Sequence, residues 1–67
     1  MEFTLQSEYI ELIKLLKLLR LAESGGMAKQ LVEKGLVSLN GKTEYRKRAK
    51  LRKGDVIRLQ GQQILLV

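Results

Sequence analysis

Between Ser24 and Gly41 the chain reads S-G-G-M-A-K-Q-L-V-E-K-G-L-V-S-L-N-G, a stretch compatible with few folds. Ser24 can accept a hydrogen bond from an early amide of a following helix, whose apolar stripe is Met27, Ala28, Leu31 and Val32. Gly35 follows Lys34 where a left-handed C-terminal cap is expected. Leu36 to Leu39 then supply a strand. Asn40-Gly41 is a strong type I′ hairpin signal, with Val37 and Leu39 before it and Thr43 and Tyr45 after it. Gly25 and Gly26 are poor helix formers in a first turn, so something other than propensity favours them. Close approach to a neighbouring helix is one reason. The other is that bare amides at a positive helix end can meet a phosphate, with Lys29 one turn later adding charge.

The rest of the chain adds partners to this unit. Glu2 to Gln6 alternates polar and apolar residues and predicts a short strand at a sheet edge. From Ser7 or Glu8 to about Leu21 the pattern becomes helical, with Ser7 as N-cap, Glu8 and Glu11 early, and Lys14, Lys17 and Arg20 later. The apolar residues from Tyr9 to Leu21 cover far more than one stripe, so this helix is expected at the centre of the core. Its three cations step by three and predict a solvated outer face. Arg46 to Lys53 reads R-K-R-A-K-L-R-K and predicts an extended loop anchored by Leu51, with a turn at Lys53-Gly54-Asp55. Ile57 and Leu59 mark a further strand. Gly61-Gln62 fits a type II′ loop, and Gln63 to Val67 form the last strand.

The composition decides what such a chain can do. Its 67 residues leave room for one domain, 1–67, which buries roughly 60% of its unfolded surface. There is no cysteine or histidine, so thiolate sites, disulfides and the commonest metal ligand are missing, and no cofactor is expected. None of Ser7, Ser24 and Ser38 has a histidine to activate it, and no enzyme activity is expected. Thirteen Lys and Arg against seven Asp and Glu give a net charge of +6, an excess that favours polyanionic partners. Lys14, Lys17 and Arg20 interrupt the leucine-rich stretch, so neither a signal peptide nor a membrane span is expected. A cytoplasmic monomer is the expectation.

Leu31, Gly35, Val37, Leu39, Asn40 and Gly41, followed after a basic gap by Gly54, Asp55 and Ile57, resemble the S-four RNA-binding domain, or alpha-L motif. That pattern runs roughly S-R-x-x-A-x-x-L-I-x-x-G-x-V-x-V-N-G, then G-D-x-I, and spans residues 24–59. The stretches S-G-G-M-A-K and E-Y-R-K-R-A-K-L-R-K-G-D resemble the stand-alone bacterial YaaA-type members. The resemblance implies an α+β fold, two packed helices against a small twisted, mainly antiparallel sheet. It also implies RNA as ligand and an association with ribosomal RNA or ribosome assembly. Gly25 stands where many members carry arginine, so that phosphate contact does not transfer, and more of the burden falls on Lys42 to Lys53.

Phosphate neutralisation needs cations and register needs hydrogen-bonding groups. The expected RNA contacts are Lys29, Asn40, Lys42, Arg46, Lys47, Arg48, Lys50, Arg52 and Lys53, with the Gly25 and Gly26 amides as further phosphate ligands. Asn40 also has a role in turn geometry. Phe3, Tyr9 and Tyr45 are the only aromatics. Only Tyr45 lies in the basic segment, and there it is expected as a partly buried strand residue, so stacking along a single strand is disfavoured. Structured RNA, through ribosomal RNA or ribosomal particles, is the expected partner. A protein-interaction adaptor and a duplex DNA binder are the alternatives.

Overall fold

A computed structural model describes residues 1–67. Nine short elements follow one another as β1 (Glu2–Phe3), β2 (Ile10–Glu11), α1 (Leu12–Leu18), α2 (Gly25–Glu33), β3 (Val37–Leu39), β4 (Lys42–Thr43), β5 (Lys50–Leu51), β6 (Val56–Leu59) and β7 (Gln62–Leu66). Five of the strands form one sheet in the order β1-β7-β6-β3-β4, antiparallel except for the β1 and β7 pair. β2 and β5 form a separate antiparallel pair. The fold is α+β, two helices and a mixed, mostly antiparallel sheet, as expected.

One apolar cluster holds these parts together. The period of two in β6 and β7 turns Ile57, Leu59, Ile64 and Leu66 inward and leaves Arg58 and Gln63 outside. Against that face pack Leu12, Leu15 and Leu16 of α1 and Ala28 and Val32 of α2, all fully buried. No polar or charged side chain is buried. The core is thus entirely apolar, and every charged residue lies outside it.

The first helix is shorter than its sequence pattern predicts. It starts at Leu12, and the Ser7 hydroxyl donates to the Tyr9 carbonyl at 2.8 Å instead of capping a helix. Ile10 and Glu11 are extended because their backbone pairs with Leu51 and Lys50. The first helical amides find acceptors far along the chain: Leu12 N–H donates to the Ala49 carbonyl at 2.9 Å and Ile13 N–H to Lys47 at 3.1 Å. These are groups that a helix start must otherwise satisfy with a cap, so a distant loop performs the work expected of Ser7. At the other end Arg20 adopts φ 58°, and Leu21 N–H closes on the Leu16 carbonyl at 2.9 Å. This is a Schellman ending built without glycine.

The second helix follows its sequence closely. The Ser24 hydroxyl accepts from Met27 N–H at 3.1 Å. Gly35, at φ 75°, donates to Val32, and Leu36 donates to Leu31, which is the glycine form of the same ending. Gly35 has a second role, because a Cβ there would stand 3.0 Å from the Tyr45 hydroxyl. Tyr45 itself lies outside β4 and is 63% exposed, so it is neither a strand residue nor half-buried. Close approach does not explain Gly25: its Cβ would meet only the Lys17 side chain, at an ordinary 3.9 Å.

The Asn40-Gly41 turn has positive φ at both residues, 52° and 87°, the type I′ geometry its sequence predicts. The last hairpin differs from expectation. Leu59 pairs with Gln62, so the turn is Gln60-Gly61, with φ 52° and 79°, and is also type I′. A type II′ turn over Gly61-Gln62 would pair Gln60 with Gln63, a shift of two that keeps Ile64 and Leu66 on the inner face but sets them opposite Leu59 and Ile57.

Candidate nucleic-acid interface

The basic segment is fixed by its backbone, which leaves its side chains free to point outward. Glu44 N–H donates to the Val37 carbonyl at 2.9 Å, and Ala49 N–H closes a turn on Arg46 at 3.2 Å. The carbonyls of Lys47 and Ala49 are held by the first amides of α1. Beyond the turn the chain alternates: Ala49 and Leu51 are buried, while Lys50 and Arg52 are exposed. Leu51 is the anchor its sequence suggests, although it sits in a short strand and not in an extended loop.

Asp55 ties the far end. One carboxylate oxygen accepts from Arg52 N–H at 2.8 Å and the other from the Asn40 side-chain amide at 3.0 Å. Asn40 completes the clasp, since its side-chain oxygen accepts from Val56 N–H and its own N–H donates to Val56, both at 2.8 Å. Both ends of the Asn40 amide are therefore engaged in joining two turns. Lys42 projects next to this clasp, exposed, at the start of β4.

The cations of the loop fall into two groups. Arg46 forks onto Glu44 through Nε and Nη2, both at 3.0 Å, and its N–H adds a third bond at 2.9 Å. Lys47 Nζ lies 2.9 Å from Glu33 of α2, and Arg48 Nε lies 4.0 Å from Glu11 of β2. These pairings leave a trace in the acids. The hydrogen bond and charge of Lys47 hold Glu33 below the usual carboxylate range, and hydrogen bonding from Arg46 does the same for Glu44. The Glu44 hydrogen bond in turn raises Arg46 above an ordinary guanidinium. By contrast Lys42, Lys50, Arg52 and Lys53 take part in no ion pair.

Lys29 joins the group indirectly. It stands one turn before Glu33 on α2 and adds its charge to that of Lys47 on the Glu33 carboxylate. Gly25 and Gly26 lie at the opposite end of α2, about 12 Å along the helix axis from Glu33, near Lys17 and away from the loop. Contacts thus link Lys29 to Lys47 through Glu33, and Asn40 to Arg52 through Asp55, while the two glycine amides lie at the other end of α2.

Two features of the loop's surroundings escape sequence reasoning. One is the set of acids, Glu11, Glu33 and Glu44, which come from three different elements. The other is Tyr9, whose ring carries Lys50 Nζ at 4.9 Å and the Arg52 guanidinium at 5.8 Å from its centroid. A signal for the latter exists in the matched alternations Tyr9-Ile10-Glu11 and Lys50-Leu51-Arg52, each with one apolar residue between two polar ones.

A helix pair on a small sheet, with a backbone-pinned cationic loop at its side, defines a compact α+β module built to present positive charge. The chain belongs to the S4 domain family, whose family model matches residues 3–67. Among solved structures it is similar to YbcJ from E. coli, at 36% identity and a TM-score of 0.74. The similarity covers 98% of this chain and 85% of YbcJ, whose solution structure is described as revealing an alfaL motif involved in RNA-binding. No curated protein sequence matches the chain. No helix is long and apolar enough to cross a membrane.

Proposed function

We propose that this protein binds structured RNA through phosphate contacts and acts as a binding module without catalytic activity. The observation that carries this reading is the row of unpaired, exposed cations Lys42, Lys50, Arg52 and Lys53 on a backbone pinned by Leu51 and Asp55. A pinned backbone presents these cations from fixed points, and the phosphates of a folded RNA stand at fixed positions. Membership of the S4 family and the likeness to YbcJ support RNA as the polyanion. Arg46, Lys47 and Arg48 add contacts once their carboxylates yield, and Lys29 extends the surface onto α2. Asn40 acts chiefly by shaping the turn, while the Gly25 and Gly26 amides are a separate, weaker phosphate site.

Ribosomal RNA, in ribosome assembly or maintenance in the cytoplasm, is the target we favour, with a monomer as the acting form. Binding of a ribosomal RNA fragment measured against salt tests the phosphate reading. Four phosphate contacts give a log-log slope of about −3 to −4, and a flat response rejects it. Crosslinking in cells followed by sequencing of the bound RNA tests the target. A DNA-dominated or random RNA profile rejects the ribosomal assignment.

A further inference from the structure

Tyr9 is 38% exposed and lies outside the apolar core. The register Ile10↔Leu51 explains its company. With Ile10 and Leu51 turned inward, the residues on either side face out, so Tyr9 comes opposite Arg52 and diagonal to Lys50. Both cations rest on its ring. Beside the ring runs a groove of about 490 Å³ between the N-terminal segment and α1, bordered by Ile10 and Leu18 and by the charged groups of Glu8, Glu11 and Lys14. That size lies within the range of small-ligand clefts, roughly 300–1,000 Å³.

We infer that Tyr9, Lys50 and Arg52 form a seat for one unpaired nucleobase of the bound RNA, with guanine preferred. The seat rests on the RNA-binding reading above and adds a base contact to it. An aromatic face accepts any base, and the two cations that shield the ring in the free protein are among those expected to bind phosphates. As phosphates draw Lys50 and Arg52 away, the ring is bared beside the backbone it is to read. The groove then chooses among bases. Carboxylates only accept hydrogen bonds, and guanine alone offers two adjacent donors, N1–H and the N2 amino group, on its Watson–Crick edge. Glu8 borders the groove and is in no ion pair, so its two carboxylate oxygens match that donor pair, while uracil presents a single donor there.

The two tyrosines and absent tryptophan provide a direct probe, because in Tyr45→Phe protein Tyr9 is the sole tyrosine. That protein is titrated with an RNA hairpin carrying one bulged guanosine, with the same hairpin bulged by uridine, and with the fully paired hairpin. The expected result is about tenfold tighter binding of the guanosine bulge than of the paired hairpin, with quenching of Tyr9 fluorescence by the bulged RNAs alone. Tyr9→Leu should bind all three equally, Tyr9→Phe should keep the preference, and Glu8→Gln should narrow guanosine over uridine. Unchanged melting of Tyr9→Leu checks that the fold survives. Equal binding of bulged and paired RNA by the Tyr45→Phe protein, or a preference that survives Tyr9→Leu, overturns the seat while leaving RNA binding intact. Failure of all three hairpins to bind at low salt overturns the RNA reading together with the seat.

Discussion

Arg46-Lys47-Arg48 and Lys50-Leu51-Arg52-Lys53 carry the same formal charge on neighbouring parts of one loop, yet they are held in opposite ways. In the first part each cation reaches a carboxylate on a different element: Glu44 beside β4, Glu33 on α2 and Glu11 on β2. Its side chains act as braces. In the second part burial of Leu51 and the Asp55 clasp fix the backbone, and the cations face water or the Tyr9 ring. A phosphate meeting the first part competes with a carboxylate, whereas one meeting the second competes only with water, counterions and the Tyr9 ring. Equal charge in sequence is therefore unequal charge available to a ligand.

The largest effect should come from dividing the loop by mutation. Replacing Lys50, Arg52 and Lys53 with Gln should lower the salt slope of RNA binding by about 2 to 3. The same exchange at Arg46, Lys47 and Arg48 should lower it by less than about 1. Equal losses from the two triple variants would remove the distinction. Next in size is Gly35→Val, which forces a branched side chain to φ 75° and drives a Cβ to 3.0 Å from the Tyr45 hydroxyl. A cost of about 1 to 2 kcal/mol is expected, seen as a melting point lower by about 4 to 16 °C. Unaltered melting would show that Tyr45 and the cap do not hold the braced part.

A smaller change is expected from Glu44→Gln. It frees the Arg46 fork, so RNA affinity at low salt should rise a few-fold, on the scale of one charge-assisted contact. Glu23→Gln makes the same change in net charge away from the loop, and an equal rise there would reduce the effect to overall charge. The smallest effect is that of acid on stability. Glu33 and Glu44 titrate below ordinary carboxylates in the folded state. Their stabilisation is complete above the usual carboxylate range and is lost as pH falls through the lowered values. Melting measured from pH 7 to pH 3 should decline less steeply in Glu33→Gln, Glu44→Gln protein, and an identical decline would assign the acid sensitivity to other groups.

Much of this arrangement is legible in the sequence wherever the cause is local. The Ser24 cap, the Gly35 helix ending and the positive-φ turn at Asn40-Gly41 are each set by residues within five positions, and the structure has each feature where the residues predict it. The apolar alternation of β6 and the anchoring of Leu51 are equally direct. What the sequence conceals is pairing at a distance. Ser7 looks like a cap because nothing nearby announces that Ala49 and Lys47 will serve the amides of Leu12 and Ile13. Tyr9 looks like part of a helix face until its neighbour Ile10 is paired with Leu51. The Gln60-Gly61 turn is hidden for another reason, since glycine satisfies either hairpin type and the two registers differ by two residues, which leaves the inward set of β7 the same in both. The cationic residues are obvious, but which of them meet a carboxylate depends on Glu44, two positions from Arg46, and on Glu33 and Glu11, brought from elsewhere.

The pairing of β1 with β7 carries a consequence for the order of events during synthesis. Glu2 and Phe3 find their partners in Leu65 and Leu66, and the amino group of Met1 donates to the Gln63 carbonyl across 62 positions of chain. In chain order β1 precedes every other strand of the sheet, and its partner β7 follows them all. Throughout elongation Phe3 has no strand beside it, while α1, α2 and the β3–β4 hairpin can already collapse on their own short-range contacts. The earliest strand in sequence is thus among the last parts of the sheet to be held.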